Sequence, residues 1–153
     1  MIPKISIGQY QQFKALYVYN FTKRIEWPKN VKEGSFIIGV YGDSDIIKGL
    51  EKIAESKTVV YQKIDIQKYT SLKDIRFCHI LYISKSRAKD TEKICEVFKN
   101  QPCLIISEKK SEVADISFIE DSYSLKFNIN KESIQRKKLR VQSSLLNLST
   151  SLK

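Results

Sequence analysis

The segment FIIGVYG, residues 36–42, is a nearly continuous apolar run that ends in glycine. Such a run predicts a strand that is buried on both faces, as the strands of parallel sheets are. The polar triplet DSD follows it, and Asp43 or Ser44 is suited to cap a helix over about residues 45–56. A buried strand that leads directly into a helix predicts an α/β fold.

The same pattern continues along the middle of the chain. HILYIS (79–84) and CLIIS (103–107) predict further buried strands, and residues 89–100 between them have the spacing of a helix. VVYQKIDI (59–66) precedes them, and the alternation at its end predicts an edge strand. The order β-α-β-β-α-β predicts a mostly parallel, Rossmann-like sheet with helices on both faces.

The pattern changes towards the C-terminus. ISFIE (116–120) and YSLKFNI (123–129) flank a short polar turn, and the second segment alternates apolar and polar residues. These two segments predict an antiparallel hairpin with one buried face. Residues 131–138 and the segment that begins at Ser143 predict short helices. The whole chain, residues 1–153, is expected to form a single domain.

The chain is strongly basic, with 27 Lys and Arg residues, 17 Asp and Glu residues and a formal net charge of +10. The basic residues are spread along the chain, and the densest cluster is Arg136, Lys137, Lys138 and Arg140. Nucleic-acid-binding domains usually concentrate such charge on one face, so we favour a solvated lysine-rich surface and expect no nucleic-acid partner. Nucleic-acid binding through the cluster is the alternative. No apolar run approaches the roughly 20 residues of a membrane-spanning helix, so we expect no direct membrane insertion.

The residues suited to covalent chemistry are few. The single histidine, His79, follows Cys78 directly, and neighbours in a strand point to opposite faces. A hydrogen-bonded core histidine is therefore favoured over a catalytic one. The sequence contains no Walker-type loop, no G-x-G-x-x-G segment and no C-x-x-C pair. We expect a protein that is not an enzyme and that has no cofactor and no metal site.

The three cysteines, Cys78, Cys95 and Cys103, lie in or beside apolar segments. Buried free thiols are the favoured state for all three. A disulfide between Cys78 and Cys103 stays open as an alternative if their strands are neighbours, because disulfide geometry is demanding.

Polar residues follow each of the predicted parallel strands. In an α/β sheet, ligands bind beyond the carboxyl ends of the strands. These ends carry the small and polar residues that a ligand edge requires, although any loop can contain them. The candidate ligand-binding residues are Asp43, Ser44, Ser84, Ser107 and Glu108.

The aromatic segment FKALYVYNFTKRIEWP, residues 13–28, predicts a helix that stops before its final proline. Four apolar residues share one face at the spacing of a core helix rather than of a cofactor site, namely Phe13, Leu16, Tyr17 and Phe21. Asn20 lies near this face and is expected to hydrogen-bond a neighbouring backbone segment. Arg24 and Trp27 are candidates for a dimer or partner surface, where both residue types are common. Packing of Trp27 against the protein itself is the alternative.

Several segments of the sequence occur in the order and at the spacing of a known family. They are KALYVYNFTKRIEWP (14–28), FIIGVYGDSD (36–45), CHILYIS (78–84), the strand from Pro102 to Ser107, ISF with LKFNIN (116–118 and 125–130), and LRVQSSLLNL (139–148). Over about residues 13–149 the sequence resembles the YfiR-like proteins, a family of small bacterial periplasmic domains. Two departures are Val113-Ala114, where the family usually carries a glycine pair, and Lys138, where it tends to have glycine.

The resemblance implies a periplasmic protein whose signal peptide is not part of this sequence, with a mixed α/β fold and often a homodimer. Characterised members are not enzymes and repress a membrane-bound diguanylate cyclase by binding its periplasmic sensor part. We therefore expect a regulatory or sensor module whose partner is the periplasmic part of a membrane-bound signalling receptor. The alternative is a small-ligand binding protein that uses the carboxyl-end rim of the sheet. Cysteine redox state is tied to stability in the family, and only Cys78 lies at a position that can be aligned.

Overall fold

A computed structural model describes residues 2–149 and the backbone of residues 151 and 152. The helices are α1 (Ile7–Arg24), α2 (Ile46–Ser56), α3 (Thr91–Val97), α4 (Lys131–Arg136) and α5 (Ser143–Leu146). The strands are β1 (Ile25–Glu26), β2 (Phe36–Tyr41), β3 (Thr58–Val59), β4 (Gln62–Tyr69), β5 (Ile80–Ile83), β6 (Leu104–Ser107), β7 (Ile116–Glu120), β8 (Leu125–Ile129), β9 (Arg140–Val141) and β10 (Ser151–Leu152). Short 3-10 helices cover Lys29–Val31, Leu72–Asp74 and Lys85–Asp90.

The main sheet contains the strands in the order β10, β8, β7, β6, β5, β2, β4 and β3. Strands β7, β6, β5, β2 and β4 run parallel to one another, so their carboxyl ends lie at one edge of the sheet. Strand β8 returns antiparallel to β7 as the predicted hairpin. Strands β1 and β9 form a separate antiparallel pair. The predicted α/β fold with a mostly parallel sheet and a C-terminal hairpin is confirmed.

Apolar side chains cover both faces of the sheet, because successive residues of a strand point to opposite sides. In β5, Ile80 and Tyr82 belong to the core that includes Phe21 of α1 and Leu50 of α2. Leu81 and Ile83 of the same strand belong to a second core, to which α3 contributes Ile94. Helices therefore pack on both faces, as predicted.

The predicted edge strand over residues 59–66 is wrong in its extent. The chain turns at Val60 and Tyr61, so the segment is divided between the two-residue strand β3 and the first part of the eight-residue strand β4, which form a hairpin. Val60 makes this turn with a φ of 57°, in the left-handed region that β-branched residues rarely enter. Strand β3 pairs with only Gln62 and Lys63, so no strand of the described chain covers the outer edge of β4 beyond them.

The predicted core face of α1 is correct at Phe21, which is buried, and at Tyr17, which packs against the core, but it is wrong at Phe13 and Leu16. Phe13 is 39% exposed and Leu16 is 51% exposed, whereas Lys14 is 1% exposed. Asn20 lies on the exposed side as well. The helix places Lys14 and Val18 inward, where the ammonium group of Lys14 pairs with the buried carboxylate of Glu108 and the half-buried carboxylate of Glu120, described below. The assignment by hydrophobicity failed because it treated lysine as a surface residue.

The two departures from the resembled family have separate structural solutions. In place of the glycine pair, the hydroxyl of Ser111 accepts hydrogen bonds from the N–H groups of Val113 and Ala114, both at 3.1 Å. Lys138, just after α4, adopts a φ of 64°, although glycine is favoured at this helix-end position. The loops at both positions are therefore formed without glycine.

A buried ion pair fastens α4 to the sheet. The carboxylate of Asp115 accepts hydrogen bonds from Lys137 (2.5 Å), from the N–H of Ile105 (2.7 Å) and from the hydroxyl of Ser133 (2.6 Å). Lys137 also donates to the carbonyl of Cys103 at 2.9 Å. Both charged groups are buried, so each depends on the other and on these neutral partners.

We expect Lys137→Met to lower the free energy of unfolding by about 3–5 kcal/mol, because it leaves the carboxylate of Asp115 buried without its counter-ion. Urea denaturation followed by circular dichroism measures the change. Lys99→Met is the matched control, since Lys99 pairs with Glu96 on the surface and its loss should cost at most about 1 kcal/mol. Equal effects of the two substitutions would contradict this account of the buried pair.

Candidate functional site

The carboxyl ends of β2, β5, β6 and β7 meet at the edge of the sheet where the sequence predicts a ligand site. Ser84 follows β5, and Glu108 follows β6. The N–H of Glu108 donates to the carbonyl of Ile83 at 2.9 Å, and a carboxylate oxygen of Glu108 accepts from the N–H of Lys85, also at 2.9 Å. The structure therefore brings these predicted residues together at the rim.

Ser84 is bonded to the protein itself. It is buried, and its hydroxyl donates to the carbonyl of Tyr41 at 2.8 Å. The backbone of Gly42 packs against it so closely that a Cβ there would overlap Ser84 Oγ and lie 2.6 Å from Arg87 Cγ. Gly42 also has a φ of 93°, a conformation that glycine adopts readily. Protein groups thus fill the space between the ends of β2 and β5.

The other predicted rim residues are also used locally or face solvent. The hydroxyl of Ser107 donates to the carbonyl of Lys109 at 2.6 Å. The hydroxyl of Ser44 accepts from the N–H of Ile46 at 3.3 Å, at the start of α2. Asp43 is exposed on the same loop. Ligand binding by the five predicted rim residues stays a prediction, and a ligand would have to compete with the bonds that four of them, Ser44, Ser84, Ser107 and Glu108, already make.

Glu108 is the centre of a buried charged network at this rim. One carboxylate oxygen accepts hydrogen bonds from Lys14 (3.1 Å), from the hydroxyl of Tyr82 (2.9 Å) and from the amide of Gln11 (3.4 Å). The other accepts from the N–H of Lys85. Glu108 therefore joins helix α1, strand β5 and the 3-10 helix that follows β5.

Glu120, at the end of β7, completes the network. It pairs with Lys14 and accepts a hydrogen bond from Lys85 Nζ at 2.9 Å. Burial alone would raise the pKa of Glu120, but hydrogen bonds from the two lysines outweigh it and hold the pKa below its usual value. Burial and the adjacent carboxylate of Glu108 raise the pKa of Tyr82 well above its ordinary value. Glu120 is therefore ionised and Tyr82 is neutral at neutral pH.

Sequence reasoning found Glu108 but missed Lys14, Tyr82 and Glu120. The available signal was a lysine within an otherwise apolar turn of helix, which is inconsistent with a simple core face. The network contains two lysines and two glutamates, so its formal charges cancel. Its arrangement is suited to holding α1 against the strand ends.

A groove lies at the opposite end of the sheet, beside the amino ends of β2 and β4, with a volume of about 640 Å³. Trp27 and Phe36 form its aromatic floor, and their rings meet edge to face with centroids 5.0 Å apart. The end of α1, the β3–β4 hairpin and β9 form its walls. Sequence reasoning missed this groove because its walls come from segments far apart in the chain.

The two residues predicted for a partner surface lie beside this groove. Trp27 is 4% exposed, and its indole N–H donates to the carbonyl of His79 at 3.1 Å. It is a core residue beneath the groove, which agrees with the alternative stated for Trp27, namely packing against the protein itself. Arg24 is half-buried and donates to the hydroxyl of Ser144 at 3.0 Å. Arg24 stays a candidate contact residue.

His79 is buried next to Trp27 and uses both ring nitrogens. Nδ1 accepts from the N–H of Ile37 at 3.0 Å, so Nε2 carries the proton and donates to the carbonyl of Val31 at 2.6 Å. Burial lowers the pKa of His79, although the Val31 carbonyl acts in the opposite direction. The prediction of a hydrogen-bonded core histidine is confirmed.

The three cysteines are free thiols in this structure. Cys78 and Cys103 are buried as expected, and Cys95 is half-buried. Burial raises the pKa of Cys78 to about 11 and that of Cys95 to about 12, and it raises the pKa of Cys103 well above its ordinary value. All three are protonated at neutral pH and are therefore weak nucleophiles. Within the described residues, no group of three or more His, Cys, Asp or Glu side chains is placed to hold a metal ion.

We expect the stability of the protein to fall as the pH decreases from about 7.5 to 5.5. The unfolded chain takes up a proton at His79 near pH 6.5, whereas the folded chain, with its lowered pKa, resists protonation. Urea denaturation at a series of pH values measures this slope. The chain has a single histidine, so His79→Gln should be less stable at every pH and should lose the slope. An unchanged slope in the variant would exclude His79 as its cause.

Comparison with known proteins agrees with the resemblance seen in the sequence. No curated protein matches this chain. The family model described as YfiR/HmsC-like matches residues 11–150. Because that match covers nearly the whole chain, this protein belongs to the YfiR/HmsC-like family.

Proposed function

We propose that this protein is a non-enzymatic regulatory or sensor module of the periplasm that binds the periplasmic part of a membrane-bound receptor. The observation that carries this proposal is its membership of the YfiR/HmsC-like family across residues 11–150. The resemblance of the sequence to repressors of a membrane diguanylate cyclase makes such a cyclase the first receptor to test. Regulation requires that the protein bind two states of the receptor with different affinities, and it requires no chemical step.

The roles of the buried polar groups support binding rather than catalysis. Both nitrogens of His79 are hydrogen-bonded to backbone groups. The carboxylate of Glu108 accepts bonds from Lys14, Tyr82 and Lys85. The groups most suited to acid–base chemistry therefore hold elements of the fold together.

The region around Arg24 is our candidate for a contact with the receptor or with a second copy of the chain. Arginine is a frequent anchor in protein interfaces, and Arg24 keeps part of its side chain accessible. Trp27 contributes indirectly, since it packs beneath the neighbouring groove.

We expect the protein to form a homodimer and to bind the periplasmic part of the receptor encoded beside its gene. Size-exclusion chromatography with light scattering measures the formation of the homodimer and of the complex with the receptor domain. Release by osmotic shock tests whether the protein is in the periplasm. Arg24→Ala should weaken the association in which Arg24 takes part, with the receptor or with a second copy, by about 30-fold. This factor corresponds to the roughly 2 kcal/mol typical of an arginine anchor. Arg76→Ala is the control, because Arg76 is exposed on the loop before β5. A strict monomer that does not bind the folded receptor domain would contradict the proposal.

Small-ligand binding is the second candidate function, and the groove over Trp27 and Phe36 favours it. Its volume of about 640 Å³ lies within the roughly 300–1,000 Å³ of ligand pockets. Its charged lining residues are Lys23, Glu26, Lys32 and Arg140. An aromatic floor with mostly basic walls is suited to an anionic ligand that has an apolar part. This groove is a stronger candidate than the rim around Glu108, where the charged groups are already paired.

We expect one compound in a screen of nucleotides, amino acids and cell-wall fragments to raise the melting temperature. A ligand at tenfold its Kd stabilises the folded state by about 1.4 kcal/mol, which corresponds to about 3–6 °C for a domain of this size. Arg140→Ala should reduce the shift, whereas Arg136→Ala should not, because Arg136 lies outside the groove. An Asp43→Ala variant tests the rim separately. No shift with any compound would contradict ligand binding.

A further inference from the structure

The turn between β3 and β4 carries two apolar side chains outside the core. Val60 is 76% exposed and Tyr61 is 95% exposed. They occupy the two turn positions of the hairpin, between the paired residues Val59 and Gln62. Glycine, asparagine and aspartate are the usual residues of such turns. This tip therefore presents a valine and a tyrosine to solvent where polar residues are the norm.

The backbone of the tip is unusual as well. Val60 has a φ of 57°, which is a strained conformation for a β-branched residue. Packing within the chain does not explain the choice, because the side chain is largely exposed. A glycine at this position would relieve the strain at no loss of core contacts. The valine is therefore better explained by a contact outside the chain.

The tip is held firmly in place by the residues behind it. Val59 and Gln62 are buried, and the amide of Gln62 donates to the carbonyls of Val31 and Gly34, both at 3.3 Å. The hydroxyl of Thr58 donates to the carbonyl of Val60 at 2.9 Å. The hairpin is thus attached to the core, and its two exposed side chains project from a fixed base.

Basic residues surround the tip. Lys57 precedes β3, and Lys63 pairs with Thr58 across the hairpin. Three more basic residues, Lys23, Lys32 and Arg140, line the groove together with Val60 and Tyr61. Among the groove-lining residues of the described chain, Glu26 is the one acidic residue, and it lies 3.8 Å from Lys32. An apolar tip on a cationic surface is the result.

We propose that this tip binds the surface of an anionic lipid bilayer, with Val60 and Tyr61 entering the headgroup region and the surrounding lysines facing lipid phosphates. Tyrosine is enriched at this depth of a bilayer, and lysines near an anionic surface are attracted to it. An apolar contact combined with a basic patch is the two-part arrangement by which peripheral proteins bind membranes. None of the helices in the described part of the chain is long and apolar enough to cross a membrane.

A bilayer fits this tip better than the other possible occupants do. A second copy of the chain that paired symmetrically through this tip would place Lys57 and Lys63 of the two copies against each other, although pairing through another surface would not. An acidic protein would need a recess shaped to receive the projecting side chains, whereas a lipid headgroup layer adapts to them. The sequence predicts no direct membrane insertion. The proposal differs from that expectation only for the side chains of Val60 and Tyr61. It does not depend on the proposed receptor, although it would keep the protein close to one.

Co-sedimentation with lipid vesicles tests the proposal. We expect binding to vesicles of equal parts phosphatidylglycerol and phosphatidylcholine at low ionic strength, weaker binding as salt is added, and none to pure phosphatidylcholine. Tyr61→Ser should weaken binding by about fivefold. Tyr123→Ser is the matched control and should bind as wild type, because Tyr123 is an exposed tyrosine in the turn between β7 and β8, at the opposite end of the sheet.

Three further variants separate the contribution of the tip from that of the overall basic charge. Replacing Lys57 and Lys63 together with glutamine should weaken binding by roughly 30-fold, whereas the same change at Lys109 and Lys110, exposed at the far end of the sheet, should have little effect. Val60→Gly should weaken binding by about threefold and leave the melting temperature unchanged or higher, since glycine accepts the positive φ. This variant keeps the test independent of folding.

The proposal is overturned if the protein does not bind the anionic vesicles at low ionic strength. Equal binding by the tip variants and their controls would also overturn it, since the net charge alone would then explain the attraction. Tyr61-dependent binding to polyglutamate without binding to vesicles would identify an acidic polypeptide as the occupant instead. The vesicles contain no protein, so these outcomes are independent of whether the protein binds its receptor.

Discussion

The buried carboxylate of Glu108 is the constraint on which the arrangement of α1 and the strand ends depends. An unpaired charge at this depth would cost several kcal/mol, so its partners must be provided from more than one element. Helix α1 provides Lys14, and this requirement sets the rotation of the helix. Phe13 and Leu16 are consequently exposed, while Val18 and Phe21 pack on the sheet. The buried face of this helix therefore combines the ion pairs of Lys14 with the apolar side chains of Val18 and Phe21.

The two ends of the parallel sheet have opposite characters as a result. The carboxyl end, where ligands usually bind in α/β folds, is occupied by the protein's own ion pairs and by the close packing at Gly42. The amino end keeps an open groove over Trp27, because β1 and β9 pair beside it instead of joining the main sheet. Ligands usually bind at the carboxyl ends of the strands in α/β folds, but in this protein that end of the sheet is the less accessible one.

The sequence was sufficient to predict the buried strands, the helices on both faces of the sheet and the C-terminal hairpin. Each of these features is indicated by the spacing of apolar residues within one short segment. Features that depend on pairs of distant residues could not be predicted in this way. The inward position of Lys14 depends on Glu108 and Glu120, which are far from it in the chain. The turn at Val60 contains none of the residues that mark turns, so β3 and β4 were joined into one strand. The groove was missed because its walls come from separate segments.

The shortness of β3 has a consequence for how the protein behaves at high concentration. Beyond Lys63, the outer edge of β4 has backbone groups directed away from the sheet, and open edges of this kind template edge-to-edge association. Lys63 precedes the open part and Lys68 lies within it, and the chain as a whole repels its copies through its net charge of +10. This protection is electrostatic, and screening shortens its range to about 3 Å at 1 M salt. The resistance of the protein to edge-to-edge association therefore depends on the salt concentration as well as on the fold.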